Sequence, residues 1–146
     1  MIYPEYHALK QRYKEAMQRV DDIIQEQEEL FQRTQPSAIR YDAEKVKSSN
    51  MPNLLDDYVI EKEQRHIVER LAEAHRILDE RKALLKEKET ELRDSKHIAD
   101  VVYCCRYIDR MRIRKIRRIT NYSDAQIYRI LDGIRKELDN DQSKDN

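Results

Sequence analysis

The chain has 146 residues, 29 of them basic and 29 acidic, with 40% of positions charged and 39% apolar. So high a charge content excludes a large globular core, and the regular spacing of the apolar positions excludes a disordered chain. One glycine and three prolines leave little material for hairpins and tight turns, so the expected class is all-α with long, charged helices.

A first helix is predicted from about Pro4 to Arg33. Leu9, Tyr13, Ala16, Val20, Ile23 or Ile24, and Leu30 recur at three- and four-residue steps and form one apolar stripe. Pro4 suits a first turn, where its missing N–H costs nothing. The acidic residues Asp21, Asp22, Glu26, Glu28 and Glu29 read as a solvated face. A connector comes next at 34–53, where Pro36, Pro52 and Ser48-Ser49-Asn50 interrupt helical continuity. Ile39, Tyr41 and Val46 need somewhere to pack, so an ordered connector is expected.

The second helix is predicted from Leu54 to Arg93, about 60 Å long. Ile60, Ile67 and Ala74, then Arg81 and Lys88, fall on one heptad seam. Gln64, Leu71, Leu78, Leu85 and Leu92 fall on the other. The first helix, folded back antiparallel, is the simplest partner, giving a coiled-coil-like hairpin over 1–94. Because the second helix is longer, part of its seam is expected to remain available, either for a homodimer through Leu71, Leu78, Leu85 and Leu92 or to rest on the C-terminal module.

Charge is segregated along the chain. From Lys96 to Lys136 about eleven basic residues stand against four acidic ones, roughly +7, and the flanks restore neutrality. Ser95 is placed to cap a third helix, Lys96 to Ile108, with Ile98, Val101, Val102, Cys105 and Ile108 on its apolar face. Ile113, Ile116 and Ile119 then mark one side of a short helix. Its other sides carry Arg112, Arg114, Lys115 and Arg118.

Thr120-Asn121-Tyr122 breaks the period, and Ser123 is placed to cap a further helix with Ile127, Ile130, Ile134 and Leu138 inward. Short helix, brief turn, capped helix is the layout of a helix-turn-helix module, here 95–138, with 139–146 expected as a flexible acidic tail. In that layout Arg112, Arg114, Lys115, Arg118 and Lys136 neutralise phosphates, and Gln126 and Arg129 carry the forked donors suited to adenine and guanine edges. A membrane-surface helix would need a longer unbroken apolar face, and the Asn-Tyr-Ser step interrupts it.

The remaining chemistry is sparse. Cys104 and Cys105 are adjacent, which suits no finger spacing, and they read as apolar core residues in a reducing compartment. His7, His66, His75 and His97 lack the spacing of a helical zinc site. No nucleophile–base set or glycine-rich phosphate loop is present, so the expectation is no enzyme, no cofactor and no metal. Without a signal peptide or a run of 18 apolar residues, a cytoplasmic location and no membrane association are expected.

The stretch "CRYIDRMRIRKIRRITNYSDAQIYRILDGIRKEL" resembles the C-terminal part of phage transcriptional regulators of the RinA/ArpU type, whose helix-turn-helix is like region 4 of sigma-70 factors. Arg106-Tyr107-Ile108, Ile116, Asn121-Tyr122-Ser123 and Gln126-Ile127-Tyr128-Arg129-Ile130 carry the likeness. Upstream, the "YDAEKVKSSN" segment between two helices is also similar. The resemblance implies a sequence-specific regulator, a phage or prophage gene activator binding double-stranded DNA. Ser123, Gln126, Tyr128 and Arg129 would lie at the major groove and Arg112 at phosphate.

The chain departs from the family pattern at Ile113 (commonly aromatic), Arg117 (commonly small) and Thr120 (commonly leucine). Arg117 requires a wider helix crossing or a snorkelled side chain. Asp124 places negative charge near the expected phosphates, although as a first-turn residue it favours the helix dipole. Two alternatives stand beside the regulator: a protein-interaction module whose coiled coil binds host RNA polymerase or another regulator, with the helix-turn-helix a degenerate scaffold, and a DNA-packaging recognition subunit.

Overall fold

The computed structural model describes residues 1–34 and 54–144. Among them the regular structure is helical throughout: α1 (Tyr3–Thr34), α2 (Leu54–Asp94), α3 (Ile98–Tyr103, continued by a π-helical turn over Cys104–Ile108), α4 (Ile113–Thr120) and α5 (Asp124–Lys144). Apart from Thr34, the connector expected at 34–53 lies outside the described residues, as do Asp145 and Asn146. The chain divides into two compact units, Glu15–Asp79 and Met1–Lys14 with Glu80–Asn146.

In the Glu15–Asp79 unit the apolar stripes of α1 and α2 meet. Val20, Ile23 and Leu30 bury against Ile67 and Ala74, with Leu71 and Leu78 packed alongside. Ile23 is the inward member of its pair, at 1% exposure against 36% for Ile24. Arg70 bonds Glu26 at 2.8 Å and Arg33 reaches Glu63 at 4.0 Å, so the two segments run antiparallel.

In the other unit the first turns of α1 and the last turns of α2 enter the core of the C-terminal helices. Tyr3, Tyr6 and Leu92 share one buried cluster with Val102, Tyr103, Cys104, Ile134 and Leu138. Tyr103 is its hub, stacked on Tyr3 at 5.4 Å and on Tyr107 at 4.9 Å, with Tyr6 edge-on at 6.0 Å. Such ring contacts add to the area term of burial. The boundary expected between 94 and 95 is therefore corrected: Leu92 and the α1 tyrosines belong to the same compact unit as α3–α5.

Asp100 ties this unit together. It is 0% exposed, and its carboxylate accepts from the backbone N–H groups of Ile2 (2.9 Å) and Tyr3 (2.9 Å) and from Ser95 Oγ (2.6 Å). A carboxylate at the start of α1 satisfies orphan amides and complements the helix dipole. Burial alone would push its pKa up, but the hydrogen bonds from Ser95, Tyr3 and Ile2 outweigh burial and hold it below the usual value.

Three further expectations change, and the α2 overhang takes one of its two expected uses. Ser95 does not cap α3; its hydroxyl is engaged by Asp100, and His97 is the N-cap, accepting from the Ala99 N–H at 3.3 Å. The overhang of α2 rests on the C-terminal helices, as expected for one of its two uses: Leu92 is 1% exposed and Leu85 lies half-buried against the Tyr103 cluster, while Leu71 and Leu78 lie half-buried against the Val20 cluster. The stretch 139–144, expected as flexible tail, continues α5, because nothing from Asp139 to Lys144 breaks a helix. Ile119 is 51% exposed, since only Ile113 and Ile116 of its stripe reach the core.

Candidate nucleic-acid interface

The end of α3 sets the direction in which the chain enters α4. Its π-helical turn closes with Asp109 N–H on Cys104 O at 2.9 Å and Met111 N–H on Cys105 O at 2.8 Å, across Arg110 in the left-handed region (φ 51°). Arg106 donates to Met111 O at 3.1 Å and steadies the turn. Arg93 binds the Asp109 carboxylate at 3.1 Å, which holds this corner to the end of α2.

Helix α4 starts at the extended N-cap Arg112, whose carbonyl accepts from Lys115 and Ile116. It ends at Asn121, a left-handed C-cap (φ 60°) whose N–H returns to Arg117 O. Asparagine tolerates that conformation well. Ile116 and Ile127 are fully buried against each other and Cys105, with Ile113, Met111, Tyr122 and Leu131 around them. That small core fixes α4 against α5.

Helix α5 starts with a reciprocal cap. The Gln126 N–H donates to Ser123 Oγ at 3.3 Å, and the Ser123 N–H donates to Gln126 Oε1 at 2.9 Å. Ser123-Asp124-Ala125-Gln126 has the spacing of a capping box, which satisfies two backbone donors at once.

All the residues assigned to DNA from the sequence are exposed: Ser123, Gln126, Tyr128 and Arg129 on α5 and its cap, and Arg112, Arg114, Lys115, Arg118 and Lys136 as the phosphate set. Their surroundings differ. Ser123 and Gln126 are engaged in the cap, Tyr128 lines a cleft, and Arg129 shares a helix face with Lys136 seven residues on. Arg117 is exposed and its Nη1 lies 3.9 Å from Asp124 Oδ1. Thr120 turns its hydroxyl onto Ile116 O at 2.8 Å and accepts from Tyr122 N–H. Ile113 packs on the Ile116–Ile127 core.

The cleft beside Tyr128 has a volume of about 560 Å³ and is walled by Arg106, Tyr107 and Arg110 on one side and Tyr128, Asp132 and Arg135 on the other. Arg106, Arg110 and Arg135 are not among the contacts that the sequence singles out. Their common signal is membership of the basic tract, and only folding brings 106 and 110 beside 135.

Both cysteines are free thiols in the core, and burial pushes Cys104 up to about 11 and raises Cys105. Among the described residues no three His, Cys, Asp or Glu side chains are placed to hold a metal ion, and no helix is long and apolar enough to cross a membrane. Comparison of the chain with protein-family models, with curated proteins and with solved structures finds no match.

Proposed function

We propose that the chain is a DNA-binding transcriptional regulator in which α4, the Asn121–Ser123 turn and α5 act as a helix-turn-helix, carried on the α1–α2 helical hairpin. The carrying observation is the packing of Ile116 on Ile127, which leaves the charged faces of α4 and α5 exposed together. Arg112, Arg114, Lys115 and Arg118 supply sequence-independent attraction to phosphates. Arg129 is the residue best suited to read a base edge, with guanine as its partner.

The likeness to phage regulators of the RinA/ArpU type agrees with this reading and points to phage or prophage promoters, in a bacterial cytoplasm. Gel-shift titration against phage promoter fragments tests it. Retarded complexes that persist against competitor DNA are expected, and no complex at low salt would sink the reading.

A second reading rests on the Arg117–Asp124 contact and on the engagement of Gln126 in the α5 cap. Both take polar groups of the would-be recognition surface into the protein's own structure. In that reading the α1–α2 hairpin binds host RNA polymerase or another regulator, and α4 and α5 are a degenerate scaffold. Direct binding of purified polymerase after nuclease treatment supports it, and binding lost with the DNA opposes it.

A further inference from the structure

The cleft between the end of α3 and the flank of α5 brings together three arginines that no part of the helix-turn-helix layout uses. Arg106 and Arg110 stand on one wall and Arg135 on the other, with the Tyr107 and Tyr128 rings between them. Among the described residues none of the three guanidinium groups is ion-paired. Asp132 is the single acid in the cleft wall.

Arg106 is already held by its bond to Met111 O, and Arg110 is set by a left-handed backbone that a long side chain adopts only where its surroundings impose it. The cationic character extends beyond the cleft: Lys10 of α1 has its pKa lowered, first by burial and then by Lys14 and Arg110. Tyr128 lines the cleft and is itself exposed, so the cleft opens onto the surface of α5.

We infer that this cleft is a phosphate seat for the DNA backbone, in which Arg110 and Arg135 clamp one phosphodiester group beside the base-reading face of α5. The inference rests on the helix-turn-helix reading and adds a contact lateral to it. The planar donors of two guanidinium groups suit a phosphate's oxygens. A tyrosine on each side offers hydroxyl donors and a flat wall for the sugar. The open form of the cleft suits a polymer passing across it, since the strand enters and leaves without an end. Asp132 limits the charge and weakens the seat.

The test is fluorescence anisotropy of the full chain with duplex DNA, promoter-derived and scrambled, over a range of salt concentrations. The double variant Arg110→Asn/Arg135→Gln is the probe, asparagine being chosen because it tolerates the left-handed backbone. Its salt slope should fall by about 1, with affinity lowered about tenfold at about 0.1 M salt for both duplexes alike. Asp132→Asn should move affinity the other way on both duplexes. Circular dichroism melting controls for folding.

An unchanged slope in the double variant, or weaker binding by Asp132→Asn, overturns the seat while leaving the helix-turn-helix intact. A wild-type chain with no DNA affinity at low salt defeats the underlying reading instead, and the seat with it.

Discussion

Gln126 and Ser123 cap each other: the serine N–H meets the glutamine Oε1 at 2.9 Å, and the glutamine N–H meets the serine Oγ at 3.3 Å. A residue whose type suggests adenine recognition thus begins its work inside the protein. In the proposed regulator the weight of base reading therefore falls on Arg129, one turn on and exposed.

Removing the cap should cost stability before it costs specificity. Ser123→Ala is expected to lower unfolding free energy by about 1 kcal/mol in urea titration. Gln126→Glu retains the acceptor for the Ser123 N–H, so it should melt within a few degrees of the parent, whereas Gln126→Ala loses that acceptor. Equal losses from Gln126→Glu and Gln126→Ala would remove the capping role.

The exposed Arg117–Asp124 pair should matter little to folding. Both side chains are more than half exposed and their charged atoms are 3.9 Å apart, and such pairs are worth about 0–1 kcal/mol. Arg117→Ala is expected to shift stability by no more than about 0.5 kcal/mol. A loss of several kcal/mol would mean that Arg117 holds the α4–α5 crossing.

Asp100 should be among the costliest positions to change. Asp100→Ala strands the buried N–H groups of Ile2 and Tyr3 and the Ser95 hydroxyl, at roughly 3 kcal/mol. Because its folded pKa is depressed, its contribution is present above the unfolded pKa near 3.8 and disappears as pH falls through the lower folded value. His7 adds to the trend: burial, then Lys10 and Lys14, lower its pKa, so the unfolded chain takes up the proton first as pH drops below about 6.5. Melting temperature should therefore fall on acidification, and Asp100→Asn should flatten the part below about pH 4. An unaltered profile in that variant would contradict the assignment.

The thiols give a folding probe. With both cysteines buried and the Cys104 thiol pushed up to about 11, a disulfide reagent at pH 8 should label them only as the chain opens. Two thiols reacting at once in the native protein would contradict their burial.

Much of this architecture is legible in the residues because its helices are long and strongly periodic. Leu54 to Arg93 repeats every seven residues, and the structure extends that helix by a single residue, to Asp94. Ile116 and Ile127 announce the α4–α5 contact in the same way. What periodicity cannot carry is contact between distant stretches. Asp100 meets Ile2 and Tyr3 from 98 and 97 positions away, and no local pattern distinguishes it from the exposed Asp109. Tyr3, Tyr6 and Tyr103 likewise converge only in the fold, which is why the first turns of α1 read as hairpin alone. The sequence leaves open which partner the overhang of α2 takes, and only the fold brings Leu85 and Leu92 against the Tyr103 cluster. The basic cleft escapes for the same reason, since Arg106 and Arg135 lie 29 positions apart and on different helices.

The central claim is that Arg129 reads sequence while α4 grips phosphate. Selection of bound duplexes from a random pool, run in parallel on the wild-type chain, Arg129→Ala and Arg112→Ala, addresses that directly. The wild type and Arg112→Ala should recover the same motif, Arg112→Ala with weaker overall binding. Arg129→Ala should lose discrimination at one guanine-containing position, at about 1–3 kcal/mol. An identical motif from Arg129→Ala, or no motif from the wild type, would contradict it.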